Sequence, residues 1–276
     1  NPSATPPELI PGLEGVPIAE SSVSHVDGQA GKLEYRGINV DRLAEHSTFE
    51  ETSYLLLTGK LPTKAKFDEF NGQLTTHRRL KYRIVDLLKC LPETGHPMDA
   101  LQTGIAAIGM FYPQRQYVAP EDRRLACVRL IAKMPTLVAA FERLRKGDEH
   151  IVPRDDLSHS ANFFYMMTGE EPDRQKARIL DVCLILHADH TMNASTFAGR
   201  VIASTRSDMV SAVTGATKAD SWVDIDGGIE RNGTHYRIRG SRQICGIVAL
   251  FALTAIATRN HRQCHGKGRQ GRRHHR

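Results

Sequence analysis

The sequence has no apolar run long enough to cross a bilayer. The longest, Ile244 to Thr258, is about fifteen residues, and a membrane helix needs roughly twenty. Membrane association is therefore not expected. It also has no Cys-x-x-Cys pair: Cys90, Cys127, Cys183, Cys245 and Cys264 are widely spaced. That argues against a cysteine metal site and for buried free thiols in a reducing compartment. Asn1 to Pro11 is polar and proline-rich, without the apolar segment of a secretory leader, so a cytoplasmic location is expected. Internal repeats are absent. Acidic residues are missing from 259–276, which holds seven Lys and Arg; these account for the formal net charge of +6 and leave the rest of the chain near neutral. The basic tail is read as a solvated segment, and no specific nucleic-acid partner is expected.

With 276 residues, 40% hydrophobic and 25% charged, the chain has the composition of a globular protein of one or two domains. Ser22 to Val26 alternates, Asp27-Gly28 is a turn signal, and Lys32 to Gly37 alternates again, which predicts a short β-hairpin. The pattern then becomes helical. Ser47-Thr48-Phe49-Glu50 has the form of a capping box, with Ser47 as the cap and Glu50 as its partner. The helix it opens carries Tyr54 to Leu57 and stops at Gly59. Further helices are predicted after Leu61-Pro62-Thr63, over 83–89, over 97–111 and over 158–167. The longest, 121–145, should kink or split at Pro135.

Residues 174–187 leave almost no polar face, and a helix apolar all round should be buried. Ile179 to Leu186 is expected to need burial on every side. A helix over 195–215, rich in Ala, Gly and Ser, should approach its neighbours closely. Residues 222–240 have no sustained period, and 261–276 cannot build a core.

Leu186-His187-Ala188-Asp189-His190-Thr191-Met192-Asn193 joins these two helices. Cys183 and His187 are four apart and His187 and His190 three apart, spacings that share a helix face. Buried polar groups need partners, and three readings stay open. The cluster could close a helix end through internal hydrogen bonds. It could bind a metal through Cys183, His187, Asp189 and His190, although no second cluster supplies further ligands. Or it could line a pocket for an anionic substrate, with a histidine as donor and Asn193 and Ser195 fixing the turn.

Three stretches resemble the citrate synthase family of the bacterial type, in order and spacing. They are Ser21 to Gly28 with Leu33-Glu34-Tyr35-Arg36-Gly37, Phe49 to Pro62 with its Gly-Lys-Leu-Pro exit, and Leu186 to Thr196. The resemblance implies an all-α fold with a short N-terminal β-hairpin, working as a homodimer. It implies condensation of acetyl-CoA with oxaloacetate to citrate and CoA, with no metal and no cofactor beyond the acyl-CoA substrate. It assigns oxaloacetate binding to His190, with His187 and Asn193 in support. In the family an aspartate removes the methyl proton and histidines stabilise the enol and polarise the ketone.

The resemblance runs over about 13–216. The family's Pro-Leu-His-Gly-Gly-Ala-Asn motif is replaced by Thr217-Lys218-Ala219-Asp220, and its Gly-His-Arg-Val-Tyr motif has no counterpart. Gly233-Thr234-His235-Tyr236 and His265-Gly266-Lys267 lack the context and spacing. No catalytic residue is therefore identifiable, and the small domain is expected to be largely missing. The expected organisation is a disordered segment 1–12, a partial large domain 13–217, and a poorly ordered, non-family segment 218–276 read as a frame-shifted join. Little or no turnover and marginal stability are expected. Two alternatives are 2-methylcitrate synthesis from propionyl-CoA and a non-catalytic helical dimerisation module.

Overall fold

The computed structural model describes residues 19–112, 119–189 and 191–219, with the backbone of strands over 227–232 and 235–240. Strands β1 (Ser24–Asp27), β2 (Lys32–Tyr35) and β3 (Ile38–Asn39) form an antiparallel sheet in that order. The expected hairpin thus gains a third strand. Asp27 shapes the first turn, its carboxylate accepting from Gln29 N at 3.0 Å and Ala30 N at 2.9 Å. The second turn is Arg36-Gly37, both with positive φ (52° and 83°), between the paired residues Tyr35 and Ile38. Two left-handed residues suit a tight hairpin connection.

Ten helices follow among the described residues: α1 (Val40–His46), α2 (Phe49–Thr58), α3 (Lys64–His77), α4 (Tyr82–Lys89), α5 (Pro97–Phe111), α6 (Pro120–Leu144), α7 (His159–Thr168), α8 (Arg174–Leu186), α9 (Ala194–Ser204) and α10 (Met209–Ala219). The fold is mostly helical, as expected. No helix among the described residues is long and apolar enough to cross a membrane.

The capping box of α2 lies one residue further on than the sequence suggested. Thr48 is the cap: its hydroxyl accepts from Glu51 N at 3.2 Å, and Glu51 Oε2 accepts from Thr48 N at 2.9 Å. Ser47 supports Glu51 from the side at 3.1 Å. Glu50 instead points inward and accepts from His159 N at 2.8 Å.

Helix α6 is the centre of the core, with Cys127, Val128, Leu130, Ile131, Met134 and Leu137 all buried. Its twenty-five residues run through Pro135 without a break, so the expected split does not occur. The residues flanking the proline explain this. Lys133 Nζ donates to His77 O (2.6 Å) and Arg79 O (2.7 Å), and Thr136 Oγ1 to Arg78 O (2.9 Å). Those carbonyls lie at the C-terminus of α3, where helix acceptors lack internal partners. Ending α6 at Pro135 would unpair them as well as expose the core. Burial, followed by the charges of Lys81 and Arg129, pushes Lys133 down to about 8.

The helix expected over 195–215 is two helices. Arg206 adopts φ 65°, and Asp208 starts α10 by accepting from Ser211 N at 3.0 Å and Ser211 Oγ at 2.7 Å. The predicted close approach holds: a Cβ on Gly215 of α10 would stand 2.1 Å from Ile202 Cδ1 of α9, and one on Gly104 of α5 would stand 2.7 Å from Leu137 Cδ2 of α6. Helix α8 is less enclosed than expected, with Ile179 54% exposed and only Leu180, Asp181, Leu184 and Ile185 buried. Of the cysteines, Cys127 is buried and Cys183 half-buried, but Cys90 is exposed, contrary to expectation. Cys245 and Cys264 lie outside the described residues, as do the apolar run 244–258 and the tail. The stretch 222–240, read as aperiodic, contains paired strands β4 (Gly227–Asn232) and β5 (His235–Gly240).

Candidate functional site

The turn from α8 to α9 is built from both helix ends. His187 is the C-cap of α8, and its ring folds back so that Nδ1 lies 2.7 Å from Cys183 O. A carbonyl only accepts, so Nδ1 carries the hydrogen. The four-residue spacing of Cys183 and His187 thus serves a backbone carbonyl and not the thiol. Burial pushes the Cys183 thiol up, which keeps it protonated. Ala188 and Asp189 are buried.

Tyr35, fully buried in β2, reaches this turn. Its hydroxyl donates to Ile185 O at 2.9 Å, lies 3.2 Å from Leu186 O, and accepts from Asp189 N at 3.3 Å. Burial holds its phenol well above the usual tyrosine range. Ser24 Oγ donates to Asp189 Oδ2. Thr191 has φ 82°, an outlier for a β-branched residue that costs about 1–3 kcal/mol. Asn193 caps α9, its Oδ1 accepting from Thr196 N and Ser195 Oγ, each at 2.8 Å. Ser195 and Thr196 are fully buried, and Thr196 Oγ1 has no partner among the described residues. His190 itself lies outside the described residues. Of the three residues expected at the site, His187 and Asn193 thus stand at the two ends of one turn.

Among the described residues, no three His, Cys, Asp or Glu side chains converge as a metal site would require. A surface cavity of about 350 Å³ between α4 and α6, lined by Leu88, Leu91, Phe141, Leu144 and Arg145 among others, includes no residue of the turn.

A second polar cluster braces the middle of α8. Asp181 accepts from Phe49 N (3.2 Å), Ser160 Oγ (3.0 Å) and Arg178 Nη1 (2.8 Å), and Arg178 Nη1 also donates to Ser47 O at 2.8 Å. Burial raises the carboxyls of both Asp181 and Glu50. His159 packs its ring 4.6 Å from Phe49, and its buried Nε2 has no partner among the described residues. Burial, then the Arg78 charge, pushes it down to about 3. These groups tie α1 and α2 to α7 and α8; their bonds go to one another and to backbone, which makes them structural. Sequence reasoning missed the roles of Tyr35, Ser24 and Asp189. The only available signal was the alternation that puts Tyr35 on the buried face of β2.

The family model described as "Citrate synthase, C-terminal domain" matches residues 12–222. A citrate synthase from Synechocystis sp. is 57% identical over 205 residues, covering 74% of this chain and 52% of the relative. A Bacillus subtilis protein named citrate/2-methylcitrate synthase is 40% identical over 206 residues, covering 75% of this chain and 55% of the relative. The crystal structure of citrate synthase from Pyrobaculum aerophilum superposes with a TM-score of 0.74 at 42% identity, covering 80% of this chain and 56% of that one. The chain spans about half the length of these relatives. Three homologous stretches, the helical architecture and the match over most of its length together make this chain a member of the citrate synthase family.

Proposed function

We propose that the chain carries the oxaloacetate-binding wall of a citrate synthase, the activity that condenses acetyl-CoA with oxaloacetate to citrate and free CoA. The observation that best supports this is the α8–α9 turn. It sets an imidazole oriented by Cys183 O at one end and the N-terminus of an eleven-residue helix at the other. A helix N-terminus favours a carboxylate, and oxaloacetate carries two. In this reading His190 donates to the substrate, while His187 and Asn193 hold the turn around it. The substrates are oxaloacetate and acetyl-CoA, and no metal or other cofactor takes part. The chain works as a homodimer.

The sequence offers no counterpart of the base or of the enol-binding histidine. Loss of a positioned proton-transfer group lowers a rate by about 10²–10⁴-fold, and loss of an oxyanion donor by about another 10²–10³-fold. Binding of oxaloacetate without measurable CoA release is therefore the expected behaviour. Calorimetry with oxaloacetate on the chain and on His190→Ala tests the reading. Binding should be lost in the variant and unchanged by a chelator, and equal binding by both proteins would overturn it. The relative named for both citrate and 2-methylcitrate supports a second reading in which propionyl-CoA is the acyl donor. Competition of propionyl-CoA against acetyl-CoA for the chain separates the two.

A further inference from the structure

Resting on that reading, we propose that the cross-strand pair Ser24–Tyr35 is the positioning element of the oxaloacetate turn, acting through Asp189. The two residues stand directly opposite each other in the β1–β2 register, and both reach the same residue from far away in sequence. Tyr35 takes the Asp189 backbone N–H, and Ser24 takes its carboxylate. One bond to the main chain and one to the side chain fix both the place and the rotation of Asp189, the residue before His190.

The exit of α8 is capped by His187, whose N–H donates to Cys183 O, and tightened by Ala188 N–H donating to Ile185 O, each at 3.2 Å. No glycine in left-handed conformation follows it, and among the described residues of the turn the positive φ falls at Thr191. The carbonyls of Ile185 and Leu186 are also met by the Tyr35 hydroxyl, which receives Asp189 N–H as well. That one oxygen ties the last carbonyls of α8 to the backbone of residue 189. A left-handed threonine persists only where both flanks are held. Asp189 is held on one side by the strand pair, and Asn193 on the other by the α9 N-terminus. The strand pair therefore does more than tether the sheet, because it fixes Asp189 where the chain leaves α8 for the turn.

The test is oxaloacetate binding by calorimetry on the full chain, on Tyr35→Phe, on Ser24→Ala and on Ser24→Thr. A destabilised control, Glu51→Ala, removes the α2 cap. Tyr35→Phe keeps the ring and deletes one hydroxyl, leaving the buried Asp189 N–H without the acceptor it has here. The dissociation constant should rise roughly ten- to a hundred-fold. Ser24→Ala should weaken binding in the same direction, and Ser24→Thr, which keeps the hydroxyl, should restore it. Glu51→Ala should bind as the parent does, since a purely structural loss leaves the turn in place. If the parent binds and Tyr35→Phe binds equally well, the inference is overturned while the functional reading stands. Weakening in Glu51→Ala as large as that in Tyr35→Phe also overturns it. If the parent itself binds no oxaloacetate, the functional reading falls and this inference falls with it.

Discussion

Replacing His159 with phenylalanine should change how stability depends on pH. His159 is buried against Phe49, and its Nε2 meets no partner among the described residues. Its folded pKa is depressed from 6.5 to about 3. The sign follows from which state takes the proton first. Below pH 6.5 the unfolded chain binds a proton that the folded chain refuses, so stability present above 6.5 is lost as pH falls towards 3. The loss is about 1.4 kcal/mol per pH unit, or about 2 kcal/mol between pH 6.5 and 5. Glu50 and Asp181 work the other way. Their folded pKa values are raised, so they stabilise most below their unfolded pKa values and lose that contribution as pH rises. The absolute pH profile mixes both effects, whereas the difference between variant and parent isolates His159. Overpacking by the phenylalanine ring would add a penalty of about 1–3 kcal/mol, but a pH-independent one. Urea unfolding followed by circular dichroism at pH 7, 6 and 5 gives the free energies. The variant should gain about 2 kcal/mol on the parent between pH 7 and 5. A difference that stays flat across that range would refute the assignment of His159 as a buried neutral base.

Glu51→Ala should destabilise the fold by about 1 kcal/mol through loss of the α2 capping box, while Glu51→Gln, which can still accept from Thr48 N, should lose less; urea midpoints compare them. Gly215→Ala drives a Cβ to within 2.1 Å of Ile202 Cδ1 and should destabilise by about 1–3 kcal/mol. Ile202→Val removes that methyl, so the double variant should be more stable than the sum of the single losses implies, and additive losses would count against the contact. Translation of the coding DNA beyond Thr217 in the other two frames should reveal a His-Gly-Gly-Ala-Asn run, and its absence from both frames would reject the frame-shift reading.

Local features of this fold were legible in the sequence wherever local physics decides them. Proline and glycine marked α5 from Pro97 and the end of α2 at Gly59, and both stand where expected. The cap of α2 was misplaced by one residue because Ser47-Thr48 and Glu50-Glu51 offer two equivalent boxes. The choice is made by the His159 N–H, 109 residues away. Pro135 reads as a breaker until the α3 carbonyls that Lys133 and Thr136 satisfy are known. Ile179 reads as core because an apolar pattern does not reveal how many sides have neighbours. The break at 205–208 was visible as a polar run but was outweighed by the small-residue pattern on either side. At the site, the histidine turn itself was plain. Its support was not, since Tyr35 and Ser24 act across 154 and 165 residues, and no window of sequence spans that distance.

The same separation bears on how the molecule is made. Chains emerge at about 5–20 residues per second, so Tyr35 leaves the ribosome about 8–30 seconds before Asp189. Throughout that interval the Tyr35 hydroxyl and the β1 edge have no α8 to meet. The sheet must wait in solution, or in the keeping of a chaperone, with its inward face open. Contacts of such long range are formed late in folding. The turn between α8 and α9 is therefore expected to be among the last of the described parts to mature, although the strands that hold it are synthesised well before it.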